Sequence, residues 1–181
     1  MEEQLKEVTV ASLGLDKASS TPVVILKEKN GERLLPIWIG PGEASAIAME
    51  LAGVRFSRPL THDLFNTVVK GLGSSLIRVL ITKVVENTYF ASLVLRRNGE
   101  MISIDSRPSD SIALALRAEA PIFADEALLE LTELEVEEAG FDESSILEES
   151  REQAEALEQA QENLKEYLKS LNPEDFGRFQ P

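Results

Sequence analysis

The sequence contains no cysteine, and His62 is its only histidine. Disulfide bonds, thiolate metal sites and cysteine nucleophiles are therefore excluded, and a metal site built on histidines is disfavoured. The Gly-x-Ser-x-Gly motif of serine hydrolases is also absent. No apolar run approaches the roughly 18 residues of a membrane-spanning helix, and no basic start with an apolar run indicates a signal peptide. We therefore expect a cytoplasmic protein without a membrane partner.

Basic residues are scarce only in the last third of the chain. Residues 1–120 carry 14 Lys and Arg against 14 Asp and Glu, whereas residues 121–181 carry 4 against 18, which accounts for the whole net charge of −14. Affinity for nucleic-acid phosphates comes largely from Lys and Arg, so the acidic segment disfavours nucleic-acid binding. Because residues 1–120 are neutral, the objection applies mainly to the C-terminal segment and does not exclude a nucleic-acid substrate.

The apolar pattern of residues 1–125 predicts three strands, two helices, a β-meander, a third helix and a short final strand, in that order. An Asn30-Gly31 turn marks a hairpin between the second and third strands. The helices are predicted to begin near Glu43, His62 and Ser109. Each carries an apolar stripe that would pack on a sheet.

The composition changes after residue 125. We expect a folded domain over residues 1–131, an acidic linker over 132–147 and a C-terminal helical segment over 148–181. Within that segment, three- and four-residue steps give one narrow apolar seam on a charged helix, formed by Ala154, Leu157, Leu164, Leu168 and Leu171. The seam predicts either a face that docks on a partner or a helix that packs on its own domain, and the pattern favours neither.

Two short segments carry the clearest chemical signal. Each places an Arg-Pro pair and a small hydroxyl residue at the start of a helix, with an Asp in the first turn: Arg58-Pro59-Leu60-Thr61-His62-Asp63 and Ile104-Asp105-Ser106-Arg107-Pro108-Ser109-Asp110. Thr or Ser at an N-cap, with a proline close by, is typical of a helix start. The free backbone N–H groups, the helix dipole and a nearby guanidinium together suit a phosphate or carboxylate. Each segment is therefore either a structural helix start or an anion site.

His62 is the candidate general acid or base, because the ordinary pKa of histidine lies near 6.5. Its neighbour Asp63 points about a hundred degrees away on a helix. An orienting carboxylate would therefore come from elsewhere, such as Asp105 or Asp110, and these aspartates are the further catalytic candidates. The alternative is that His62 makes only a surface or capping hydrogen bond.

Other residues of the two segments are candidates for binding substrate phosphate or a metal ion. The phosphate-binding candidates are Arg58, Thr61, Arg107 and Ser109. Arg107 lies between Asp105 and Asp110, so an internal ion pair is its structural alternative, and such a pair could also position the guanidinium for a phosphate. Since Mg²⁺ prefers oxygen ligands, a magnesium site is a further expectation, although no signature spacing supports it; its ligands would be Asp63, Asp105 and Asp110.

Four ordered stretches carry a family resemblance, and they lie within Leu35–Ala124, a region of about half of the chain. They are Leu35-Pro36-Ile37-Trp38-Ile39-Gly40, Glu43-Ala44 with Ala46-Ile47-Ala48, Arg58-Pro59-Leu60-Thr61-His62-Asp63-Leu64, and residues 104–117 with the sequence IDSRPSDSIALALR. On these residues the chain resembles the bifunctional nuclease domain family. The resemblance implies an α+β fold with a mixed, mostly antiparallel sheet flanked by helices, and a homodimer. Some members carry a C-terminal helical segment like the UvrB/UvrC interaction motif, and residues 148–171 have its place without a clear Arg-Asp core.

The resemblance also implies nuclease activity on RNA and single-stranded DNA. In that enzyme, Arg58 and Arg107 would bind phosphate and His62 would act as general base or acid, while the aspartates orient it or hold Mg²⁺. The alternative function is a non-catalytic module of the same fold that binds a small anion or a protein partner. The acidic C-terminal helix would then be its interaction arm.

Overall fold

The computed structural model describes residues 5–16, 19–131 and 141–142. The order of its elements up to residue 125 is the predicted one. The strands are β1 (Leu5–Asp16), β2 (Pro22–Glu28), β3 (Leu34–Trp38), β4 (Ser74–Val85), β5 (Thr88–Arg97), β6 (Glu100–Ser106), β7 (Ile122–Asp125) and β8 (Phe141–Asp142). The helices are α1 (Pro41–Leu51), α2 (Thr61–Gly71), α3 (Pro108–Ala118) and α4 (Glu126–Leu131).

Seven strands form one sheet in the order β3-β2-β1-β7-β4-β5-β6, and β8 pairs with the end of β1. The β4–β7 pair is parallel, and the other pairs of the described strands are antiparallel. Parallel neighbours need a long crossover, which here consists of β5, β6 and α3. The α+β class and the mixed, mostly antiparallel sheet implied by the family resemblance are therefore confirmed.

Helices α1, α2 and α3 form a layer on the sheet, with α3 in contact with both of the others. Small residues on α3, such as Ser111, Ala113 and Ala115, are buried and allow this close packing. The largest fully buried side chains include Leu26, Leu35, Ile47, Ile81, Ile112 and Leu129. Burying each such side chain contributes about 1.5–3 kcal/mol, so the helix layer is fixed firmly on the sheet.

The starts of α2 and α3 differ from the prediction in the capping residue. Leu60 and Arg107 are the N-caps, so Thr61 and Ser109 lie inside the first turn. An aspartate at the third helical position replaces the expected hydroxyl cap in α2, where the Asp63 carboxylate accepts a hydrogen bond from Leu60 N–H at 2.9 Å. The predicted Thr and Ser N-caps are therefore wrong, because the chain turns into each helix one or two residues earlier.

Helix α4 packs against β7 and β3, and its Leu128 and Leu129 are buried there. The predicted linker over 132–147 lies outside the described residues except for β8, and the segment over 148–181 lies wholly outside them. The division into those segments therefore stays a prediction. Among the helices of the described residues, none is long and apolar enough to cross a membrane.

Candidate functional site

The first turns of α1, α2 and α3 meet at one end of the helix layer. Each contributes one polar side chain, namely Glu43, His62 and Asp110. Arg107, the N-cap of α3, joins two of them: Nη1 donates to Glu43 at 2.8 Å, and Nε and Nη2 donate to Asp110 at 2.7 and 3.1 Å. Nε2 of His62 lies 3.4 Å from Oδ1 of Asp110. We call these four residues the first-turn network.

Hydrogen bonding fixes the charge of Asp110. Burial alone would raise the pKa of its carboxyl, but hydrogen bonds from Arg107 and His62 lower the pKa below its ordinary value. A carboxylate in the first turn of a helix is also favoured by the helix dipole. Asp110 therefore remains ionised near neutral pH and can orient His62.

Arg107 is held in place and is still open to solvent, with 64% of its side chain exposed. A guanidinium carries five N–H groups, and three of them donate to Glu43 and Asp110. The other two are available to a ligand. The pKa of Arg107 is raised, chiefly by the hydrogen bonds to Asp110 and Glu43.

A pocket of about 580 Å³ opens beside the first-turn network. Its polar lining consists of Thr61, His62, Thr88, Asp105, Ser106, Arg107 and Asp110. Its apolar and aromatic lining consists of Phe65, Tyr89, Phe90, Leu93, Ile104 and Leu114. The volume lies in the range of small-ligand sites. The lining suits a ligand that joins an anionic group to a flat apolar ring.

The predicted meeting of the two helix starts is confirmed by the contact between His62 and Asp110. Thr61, Asp105 and Arg107 line the same pocket. Within the described residues, the hydrogen-bond partners of His62 and Arg107 are Asp110 and Glu43, and Asp105 is not among them. Asp110 is therefore the aspartate that contacts the imidazole, and Asp105 lines the pocket.

Asp63 lies at a different site. Nε of Arg117 donates to Asp63 at 2.6 Å, and its Nη1 and Nη2 donate to the backbone oxygens of Ala113 and Ala46, each at 3.0 Å. Burial alone would raise the pKa of Asp63, but the Leu60 N–H and Arg117 lower it. Asp63 borders a second pocket, of about 410 Å³. It is not gathered with Asp105 and Asp110, and among the described residues no three His, Asp or Glu side chains are placed to hold a metal ion.

Arg58 and Ser109 lie outside both pockets. Arg58 is exposed in the loop between α1 and α2. Ser109 is buried in the first turn of α3. The structure therefore gives neither residue a position against a ligand in these two pockets.

The model of the bifunctional nuclease domain family matches residues 24–137. The chain belongs to this family. The matched region of this bifunctional nuclease domain contains the whole first-turn network, from Glu43 to Asp110.

Relatives of two kinds are similar to this bifunctional nuclease domain. An uncharacterised protein of Mycobacterium tuberculosis is 43% identical over 170 residues, which are 94% of this chain and 97% of the relative. Bifunctional nuclease 1 of Arabidopsis thaliana is 32% identical over 123 residues, 66% of this chain and 38% of the relative. Bifunctional nuclease 1 of Oryza sativa subsp. japonica is 30% identical over 110 residues, 59% of this chain and 33% of the relative. The chain thus spans well under half the length of these plant relatives.

The contacts that two residues of this bifunctional nuclease domain make were not predicted from the sequence. Glu43 has the pattern of a solvated helix charge, because nothing near it in the sequence shows that α3 brings Arg107 to it. Arg117 has the pattern of a cation at the C-terminal end of α3, whereas it is buried and contacts three helices. One feature of the sequence could have indicated Glu43: it lies in the first turn of its helix, as Asp63 and Asp110 do in the first turns of α2 and α3.

Proposed function

We propose that the chain is a nuclease that hydrolyses phosphodiester bonds in RNA and single-stranded DNA. The observation that carries the proposal is the contact of His62 with Asp110 beside an exposed, anchored Arg107 at the edge of a pocket. Membership of the bifunctional nuclease domain family, with plant relatives named bifunctional nucleases, supports the same function.

In the proposed complex, Arg107 binds the phosphate through the two N–H groups that Glu43 and Asp110 do not use. The N-terminus of α2, where Thr61 lies, faces the same pocket, and its free N–H groups and dipole favour negative charge. Tyr89 and Phe90 offer ring faces on which a base can stack. An unpaired base can turn into this pocket, whereas a paired base cannot, which favours single-stranded substrates.

His62 is the proposed general base. Because Nε2 faces Asp110, Nε2 carries the proton and Nδ1 is the basic nitrogen. Nδ1 takes a proton from water while the water oxygen bonds to phosphorus and the bond from phosphorus to the leaving oxygen breaks. The imidazolium then gives its proton to the leaving oxygen. Arg107 stabilises the negative charge that develops on the phosphate oxygens.

No step of this mechanism requires magnesium. The guanidinium of Arg107 already lies between the carboxylates of Glu43 and Asp110, where a cation bridging them would bind. Asp63, the third expected ligand, is bound to Arg117. The donor set therefore does not fit a carboxylate Mg²⁺ site, and we expect cleavage to persist in EDTA.

The test is a cleavage assay with highly purified protein on end-labelled single-stranded RNA and DNA. We expect His62→Ala to lower kcat about 100-fold or more, the usual contribution of a general base, and Asp110→Asn to lower it as well. Lys70→Ala is the matched control, since Lys70 is exposed on α2 and lines neither pocket. Equal cleavage by wild type and His62→Ala would mean that His62 is not the base.

A non-catalytic anion-binding module is the second candidate. One observation favours binding without catalysis: Arg107 keeps two N–H groups that can donate to a bound anion, whereas its charge is balanced by Glu43 and Asp110 and can stabilise little of the further charge of a transition state. Binding of single-stranded RNA without cleavage, unchanged in His62→Ala, would support this candidate. Residues 148–181 would then be the arm that contacts a protein partner.

A further inference from the structure

The second pocket, of about 410 Å³, lies between the end of α1, the loop that follows it and the first turns of α2. Its volume is within the range of small-ligand sites. Seven of its twelve lining side chains are polar or charged. None of the residues that bind or react in the proposed nuclease mechanism lines it. The second pocket is therefore a separate site to be explained by its own chemistry.

The charges that line the second pocket balance one another in two ion pairs. Arg55, which is exposed, donates from Nη1 and Nη2 to the two carboxylate oxygens of Glu50, at 2.8 and 3.0 Å. Arg117, which is buried, donates from Nε to Asp63 at 2.6 Å, and the same nitrogen lies 3.8 Å from Oε2 of Glu50. Two carboxylates and two guanidiniums leave the lining without net charge. A neutral ligand therefore suits it better than an anion or a cation.

The paired groups still have hydrogen-bonding capacity. A carboxylate has about four acceptor sites, and within the described residues Glu50 and Asp63 each accept two hydrogen bonds. An arginine has five N–H groups, and Arg55 uses three of them, two for Glu50 and one for the Val54 carbonyl. Acceptors on Glu50 and donors on Arg55 therefore lie side by side, open to a ligand.

Neighbouring hydroxyl groups match this arrangement, because each hydroxyl both donates and accepts. A hydroxyl that donates to Glu50 can accept from the adjacent N–H of Arg55, and the next hydroxyl of a diol can do the same at the second oxygen and nitrogen of the pair. The other five lining side chains are apolar, with the half-buried Phe56 among them. A sugar ring carries hydroxyls on its edge and C–H groups on its faces, so it fits both parts of the lining.

We infer that the second pocket binds a neutral sugar ring through two neighbouring hydroxyl groups, which donate to Glu50 and accept from Arg55. Phe56 packs against a C–H face of the ring. A phosphate is disfavoured because it would meet the carboxylates of Glu50 and Asp63. The same diol occurs in a free saccharide and in the ribose of a nucleoside, and the experiment separates these two sources. The inference stands on the second pocket and not on nuclease activity.

Calorimetric titration of the full chain with D-glucose, D-ribose and adenosine tests the ligand class. We expect saturable binding in the millimolar range or tighter, and inorganic phosphate should not displace the ligand. Binding of D-glucose without adenosine would identify a free saccharide as the source. Binding of adenosine would identify a nucleoside, and 2′-deoxyadenosine, which lacks one of the two neighbouring hydroxyls, should then bind about tenfold more weakly. Failure of all three to bind would overturn the inference.

Variants of the full chain test the position of the sugar. Arg55→Ala should weaken binding about tenfold, because it removes the donors to both hydroxyls. Arg58→Ala is the matched control, since Arg58 is an exposed arginine of the same loop and lines neither pocket. Glu50→Gln leaves the lining with a net positive charge, so inorganic phosphate should now compete with the sugar. Unchanged affinity in Arg55→Ala, or loss of binding in Arg107→Ala instead, would overturn the inference.

Discussion

His62 and Asp63 are neighbours in the sequence, yet they contact opposite ends of α3. His62 lies against Asp110 in the first turn of α3, and Asp63 binds Arg117 in its last turn. Seven residues of α-helix separate those two contacts by about 10 Å along the axis. The start of α2 therefore crosses α3, and the ion pair between Asp63 and Arg117 fixes the rotation of α2 that brings His62 to the pocket.

Arg117→Ala should destabilise the fold by roughly 3 kcal/mol, because it removes the charged partner of the Asp63 carboxylate and one hydrogen bond to each of the Ala113 and Ala46 carbonyls. Only 6% of the Arg117 side chain is exposed, so water cannot replace it fully. Urea unfolding followed by circular dichroism measures the change. The matched control is Arg97→Ala, an exposed arginine at the end of β5, for which we expect little change. Equal midpoints for the two variants would contradict a structural role for Arg117.

Stability should fall in acid as the two first-turn aspartates take up protons. The pKa values of Asp63 and Asp110 are lower in the folded chain than their ordinary value. Each therefore contributes stability that is complete above the ordinary pKa of about 4 and is lost as the pH falls through the folded-state pKa. We expect the urea midpoint to drop below about pH 4. Asp110→Asn should flatten that dependence, and an unchanged slope would show that Asp110 does not take part.

Arg107→Ala should weaken binding of a single-stranded oligonucleotide by roughly tenfold, about the value of one charge-assisted pair. It should lower the thermal midpoint less than Arg117→Ala does, because 64% of the Arg107 side chain is exposed and water can partly solvate the carboxylates that it leaves. Fluorescence anisotropy with a labelled oligonucleotide measures the affinity. Arg58→Ala removes an exposed arginine outside both pockets and should bind as wild type does. If Arg58→Ala weakened binding and Arg107→Ala did not, the phosphate site would lie at the loop before α2.

Deleting residues 143–181 should leave a folded domain that binds single-stranded RNA more tightly at low salt. The deletion removes ten Asp and Glu and four Lys and Arg, so the net charge rises by six. Less negative charge near a phosphate-binding surface strengthens attraction, and the gain should fade as salt rises. A salt series of binding measurements on both proteins tests this. Equal or weaker binding by the truncated protein would show that the acidic segment does not screen the domain. An unfolded product would show that the apolar seam through Leu157 and Leu164 belongs to the core or to an interface.

Much of the fold was predictable from sequence because it depends on local patterns. Alternating strands, the Asn30-Gly31 turn and the apolar stripes of the helices gave the element order. The site was predictable only in part, since Asp63 and Asp110 occupy equivalent first-turn positions and differ in partners that folding brings to them. Asp63 binds a residue 54 positions later, and no local pattern carries that information. The homodimer, the cytoplasmic location and the segment over 148–181 stay predictions.

Strand β7 has a consequence for how the chain folds. Its four residues lie between the β3-β2-β1 and β4-β5-β6 parts of the sheet and pair with both β1 and β4. Leu5 therefore pairs with Asp125, although nearly the whole sequence of the domain separates them. Pairings between residues so far apart in the sequence form slowly. On the ribosome the two hairpin systems can form early, but the sheet cannot close until residue 125 has emerged. We expect pulsed hydrogen exchange to show protection in β4 and β5 before β1 and β7, and simultaneous protection would contradict this order.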